Sequence, residues 1–261
     1  MRDILYPESE VWQGGDEAVA RARASQARVL PKRFYSTVTV EPGEGGHAVL
    51  LDGRRARTPG KALLALPSRA AAEIVAAEWA GQGDHIDPAE MHATRIANVG
   101  IDRVAAVRAA VIDEMAGYAG TDLVCYRAAS PDGLVARETA AWTPVLDHIR
   151  SRHGARFALA EGIGHVAQDP AALAAVHAAY ARFDDPVALA ALSTLVTLCG
   201  SALIPLALVD GALDAEAAFA AAHVEEDWNT HLWGEDAEAL ARTARRRAEF
   251  MAAAGLLKAL G

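Results

Sequence analysis

Residues 187–209 read V-A-L-A-A-L-S-T-L-V-T-L-C-G-S-A-L-I-P-L-A-L-V, twenty-three positions without a charge. Asp185 and Pro186 precede them as an N-cap and a first helical residue. Leu189, Leu192, Val196, Cys199 and Leu203 recur at three- and four-residue steps, and the remaining faces are apolar too. That pattern predicts helix buried on every side. A straight helix of this length would be about 34 Å long, enough to cross a bilayer core of about 30 Å. The flanks argue against a span: Asp184, Asp185, Asp210 and Asp214 surround it, with no Lys/Arg bias to orient it. Gly200 and Pro205 also divide it, and proline interrupts the hydrogen-bond ladder, so a kink or two helices is expected. The reading is a core helix pair, with no stable membrane insertion.

Outward from this segment the chain is mostly helical. Hydrophobic residues form 52% of 261 residues, enough for a sizeable core, and much of that share is alanine, a strong helix former. Asp169-Pro170, Asp214 and Asp236 mark further helix starts. The Asp214 helix is expected to run through His231. Leu134 to His153 is predicted helical, with Val135, Trp142, Val145 and Ile149 inward and a bend at Pro144. Ser68 caps a helix whose inner column is Ala71, Ile74, Val75 and Trp79. Asp87-Pro88-Ala89-Glu90 opens another, running towards Tyr118 with a break near Gly100 and a polar stripe at Thr94, Asn98 and Asp102.

Residues 33–66 differ in period. Alternation from Phe34 to Val40, the E-P-G-E-G-G cluster at 41–46 and Asp52-Gly53 predict a small antiparallel meander. Residues 1–31 are weakly patterned, with one short helix possible over Asp16–Gln26, and are treated as an arm. The fold class is therefore α+β: an N-terminal arm (1–31), a small antiparallel β domain (32–67) and a larger, mainly helical domain (68–261).

Net charge is −9, which disfavours nucleic-acid binding. The distribution is uneven. No Lys or Arg lies between Arg182 and Arg242, whereas Arg54, Arg55, Arg57 and Lys61 cluster in the meander. Such asymmetry steers a partner of opposite pattern. Arg242, Arg245, Arg246 and Arg247 read as a solvated helix face. The N-terminus lacks an apolar signal or an Arg-rich transit pattern, which predicts a cytoplasmic protein. Cys125 and Cys199 match no metal or redox spacing and read as buried small hydrophobes.

The densest polar-aromatic stretch is H-V-E-E-D-W-N-T-H-L-W-G-E-D, 223–236. On a helix His223, Asp227 and His231 share a column, and a metal-dependent enzyme built on it is the alternative reading of function. The spacing is generic, and helical ligands a full turn apart rarely converge on one ion unaided. Trp228 and Trp233 read either as partial core or as interface anchors beside acids. No glycine-rich phosphate loop and no nucleophile elbow occur in the sequence.

An ordered set of short pieces is more specific. It comprises K-R-F-Y (32–35), L-L-D-G-R (50–54), T-P (58–59), A-E-W-A-G-Q (77–82), I-D-P-A-E-M (86–91), T-R-I-A-N (94–98), D-L-V-C-Y-R (122–127) and A-W-T-P (141–144). E-D-W (226–228) and W-G-E-D (233–236) complete it. In this set and order the sequence resembles the assembly chaperones of the F-type ATP synthase alpha subunit. It departs from that family at His92, where Pro is common, and at Glu138 and Asn229, where Gln is common. His231-Leu232 replaces a more polar pair. The resemblance implies a chaperone without catalysis or cofactor. Its partner would be the free alpha subunit of F1, shielded where the beta subunit later docks. The resemblance also places the family's important acid on Glu226, or on Glu225 by a one-residue slip, and its tryptophan on Trp79. The expected partner-binding residues are Glu226, Glu225, Asp227, Trp233 and Glu235. Trp79 and Trp142 are expected in the core, and the protein is read as a monomer.

Overall fold

Asp52 and Gly53 turn the chain with φ of +48° and +75°. Both central residues of a type I′ hairpin need positive φ, and this turn matches the twist of the strands it joins. In the computed structural model, which describes residues 30–261 except Ile163 and Glu235, this turn joins β2 (Gly46–Leu51) to β3 (Arg54–Arg55). Strand β1 (Val38–Gly43) pairs antiparallel with β2, with Val40 opposite Val49, and β4 (Ala65–Leu66) pairs with β2 near its start. The strand begins later than the alternation predicted. Phe34 to Ser36 precede it, and β1 continues through Pro42 into the glycine cluster. The Asp16–Gln26 expectation lies outside the described residues.

Ser68 accepts a bond from the Ala71 amide and starts α1 (Arg69–Ala80). Helix α2 (His92–Val99) follows a short turn capped by Asp87. At Gly100 the helix widens into a π turn, Gly100–Val104, before α3 (Ala105–Gly117). The reason for glycine is close approach: a Cβ there would stand 2.7 Å from Val187 Cα. The Thr94–Asp102 stripe faces inward and joins the layers. Glu78 of α1 takes the Ala93 and Thr94 amides at 2.7 Å each. Asp102 takes Thr58 Oγ1 at 2.6 Å and the Gly60 amide at 2.7 Å.

Strand β5 (Tyr126–Arg127) pairs in parallel with β6 (Ala160–Glu161), and α4 (Asp132–His153) lies between them in sequence. Next come α5 (Pro170–Ala181), α6 (Pro186–Cys199) and α7 (Leu203–Val209). The apolar segment is thus two helices, and the break falls at Gly200 (φ +65°) rather than at Pro205. Pro205 stands in the first turn of α7, where an amide has no helical partner to lose. The break is fastened by buried Asp122, which accepts the Ala202 and Leu203 amides at 2.7 and 3.0 Å. Burial pushes that carboxyl up to about 6, against the pull of its hydrogen bonds. Among the described residues no helix is long and apolar enough to cross a membrane.

The chain ends with α8 (Ala215–Ala222), α9 (Val224–Trp233) and α10 (Ala237–Leu260), which lies along α6. The hydrophobic core runs without interruption from Val49 and Leu66 of the sheet to Leu192, Leu195 and Phe250 of the helices. Both cysteines are buried and free.

Candidate partner-binding face

The helix expected from Asp214 to His231 is broken at His223, where φ is −119° and ψ 16°. His223 is turned inward: its ring stacks on Phe219 at 3.9 Å and its Nδ1 lies 2.8 Å from the Phe219 carbonyl. The His223, Asp227, His231 column therefore does not form. One ring is buried against a phenylalanine, while Asp227 and His231 are exposed on the next helix.

The break redirects α9. Val224 points into the core, and Glu225, Glu226 and Asp227 occupy the first turn, exposed. Carboxylates are favoured there by the partial positive charge of the helix start. The far end of α9 presents Leu232 and Trp233, 52% and 83% exposed. Trp228 is the residue that seats the helix. Its ring closes on Gly133 of α4, where a Cβ would meet it at 2.7 Å, and the Arg137 guanidinium stacks on it at 5.0 Å. Trp228 is thus an anchor within the fold, whereas Trp233 is uncovered. Glu235 lies outside the described residues.

Glu226 has a partner that local sequence could not reveal. Arg246 of α10 donates to its Oε1 at 3.1 Å and, through its other nitrogen, to the Leu198 carbonyl at 2.8 Å. Arg247 likewise pairs with Glu216. The arginines of α10 are therefore not a uniformly solvated face: Arg246 and Arg247 tie α10 to its acidic neighbours.

Beneath Glu225 lies a polar group that the sequence marked only as a departure from the family, without showing that it is buried. Glu138 of α4 is fully buried and accepts the Ala128 amide at 2.8 Å. Burial raises its carboxyl above the usual range, and the nearby Glu225 raises it further. The Arg127 guanidinium stacks on Trp142 at 5.2 Å, and Trp142 Nε1 donates to the Ala221 carbonyl at 2.7 Å. Trp142 is 1% exposed. A small cavity of about 280 Å³ opens beside it, lined in part by Cys199, Glu225, Glu226 and Arg246.

The basic cluster of the meander makes a second feature. Arg54, Arg55 and Arg57 are exposed and line a cleft of about 570 Å³ with Phe34, Tyr35 and Trp79. Trp79 is half-buried, packed against the core on one side and 5.7 Å from the Tyr35 ring. Its carbonyl accepts the Tyr35 hydroxyl at 2.7 Å. The acidic α9 turn, the uncovered indole and this basic cleft are groups suited to holding a protein surface by apolar contact and charge.

The family described as ATP12 chaperone protein matches residues 32–150. The fold superposes on a crystal structure of a candidate chaperone from Agrobacterium tumefaciens with a TM-score of 0.85, at 44% identity, over 93% of this chain and 91% of that one. It superposes on Atp12 from Paracoccus denitrificans with a TM-score of 0.81, at 38% identity, over 88% of this chain and 99% of that one. A single-residue variant of the Paracoccus protein matches with a TM-score of 0.80.

Proposed function

The chain belongs to the ATP12 chaperone family, and from that premise we propose that it is an assembly chaperone of ATP synthase that holds the free alpha subunit of F1. It covers the surface that beta later occupies, and it does so as a cytoplasmic monomer without catalysis. An unassembled ring subunit exposes a large apolar patch, which is an aggregation hazard. The observation that carries the reading is α9: Trp233, 83% exposed, stands at its far end, about two turns from the exposed carboxylates of its first turn. An uncovered tryptophan beside charges is the composition of an interface anchor. Glu226, Glu225, Asp227 and Trp233, with Glu235, are the contact residues of this reading. Its organisation keeps residues 32–67 as a β unit that supplies the arginines of the basic cleft, and 68–261 as the unit that supplies Trp79 to that cleft and presents α9.

The test is co-expression with the cognate alpha subunit. Soluble alpha should increase, and the two should co-elute on gel filtration. Alpha that stays equally insoluble, with no complex, would overturn the proposal.

A further inference from the structure

Three helix ends meet at Asp210. It follows directly on α7, His148 and His153 lie in the last two turns of α4, and Arg182 follows directly on α5. Asp210 Oδ2 is 3.2 Å from His148 Nε2 and 2.6 Å from His153 Nε2, while Oδ1 accepts Arg182 Nη2 at 2.5 Å. The side chains of Asp210, His153 and His148 are 4%, 8% and 22% exposed. Their three ligand atoms lie within 4.8 Å of one another.

Two imidazole nitrogens and one carboxylate oxygen within reach of one another are a donor set for zinc. Ligand bonds of about 2.1 Å in a tetrahedron set the ligand atoms about 3.4 Å apart. The two N···O spacings, 3.2 and 2.6 Å, fall short of that value by less than about 1 Å, so side-chain shifts of that size would admit an ion. Arg182 holds the non-ligating oxygen, as an outer partner orients a ligating carboxylate. His148, 22% exposed, is the one of the three with access to solvent. We propose that His148, His153 and Asp210 bind one zinc-class divalent cation that clasps the ends of α4 and α7. Binding takes the place of the hydrogens on the two Nε2 atoms: a neutral ring carries its hydrogen on Nδ1 instead, and an imidazolium ring releases one proton to solvent.

The probe is zinc sulfate alone, added to full-length, tag-free protein stripped with a chelator. Competition against a chromophoric chelator should show one equivalent bound, and the melting temperature should rise with zinc. The double variant His148→Gln, His153→Gln should lose both effects, while His165→Gln, an exposed histidine bonded to Tyr126, should keep them. Equal zinc uptake by wild type and the double variant overturns the proposal, as does no uptake by wild type. Should the double variant fail to fold, the wild type alone decides. Zinc must then protect His148 and His153 from diethyl pyrocarbonate, read by peptide mass, while His165 stays reactive. Equal labelling with and without zinc overturns the proposal.

Discussion

Glu226 and Arg246 form an ion pair at 3.1 Å across α9 and α10, twenty residues apart. The acid at the centre of the proposed partner-binding turn is therefore held by the fold as well as offered to solvent: its side chain is 55% exposed. Both roles bear on what a substitution there does.

Reversal of that charge is expected to separate the two. An exposed ion pair contributes about 1 kcal/mol or less. Glu226→Lys should therefore lower the melting temperature only slightly, with unchanged circular dichroism, while abolishing rescue of the alpha subunit. Glu225→Lys is the comparison, because that lysine would face Glu138. If only Glu225→Lys loses rescue, the contact acid is Glu225; if Glu226→Lys unfolds the protein, the acid is structural.

Trp79 is half-buried and borders three arginines. Trp79→Arg removes ring packing and adds a fourth cation to the cleft. The expected loss is about 2 kcal/mol, read from the urea midpoint. Trp79→Phe keeps the packing against Tyr35 and should lose less than half of that. An unchanged midpoint in Trp79→Arg would show that the ring contributes no packing.

Glu138 supplies a pH dependence. Burial holds its folded carboxyl above the unfolded value, so the folded state favours the protonated form. Its contribution is present at low pH and is lost as pH rises through the raised value. Glu138→Gln keeps the acceptor for the Ala128 amide without the charge, and it removes the repulsion between Glu138 and Glu225. The variant should melt above wild type at pH 8, with the gap closing as pH falls towards 4. A gap independent of pH would place the titration elsewhere.

Gly100→Ala should be destabilising by about 1–3 kcal/mol, because the new methyl meets backbone: Val187 Cα at 2.7 Å and the Pro186 carbonyl at 2.9 Å. Gly117→Ala is the control, since a Cβ there has no neighbour within 4 Å. Chemical denaturation of both variants checks the contrast.

Trp142→Phe keeps a ring in the core but removes the donor to the Ala221 carbonyl. An unsatisfied buried carbonyl costs about 1–3 kcal/mol, and the loss should appear in thermal unfolding. Co-elution with the alpha subunit at low temperature should be retained, since Trp142 is buried.

The caps and turns were legible because their partners are near in sequence. Asp185, Asp214 and Asp236 each accept an amide three residues on, and Asp52-Gly53 closes its hairpin with its own φ angles. The charge-free 187–209 segment marked the core, but the expected burial on every side is not found: Thr197 is exposed and Ser193, Thr194 and Leu198 are partly so, where uncharged polar residues form an open face of α6. Spacing alone also placed Trp142 inward. The break at His223 was not legible, because helical periodicity continues through it; stacking on Phe219 turns the ring inward and ends the register. Glu226's partner was hidden for a different reason. Arg246 is reached only when α10 folds back along α6 and α8. The same holds for Glu138 beneath Glu225, and for Asp210 between His148 and His153. Local hydrogen bonds depend on spacings that the order of residues states outright. A pairing between helices depends on their packing angle and height, which follow from the whole core at once, so only the tertiary structure decided which charges meet.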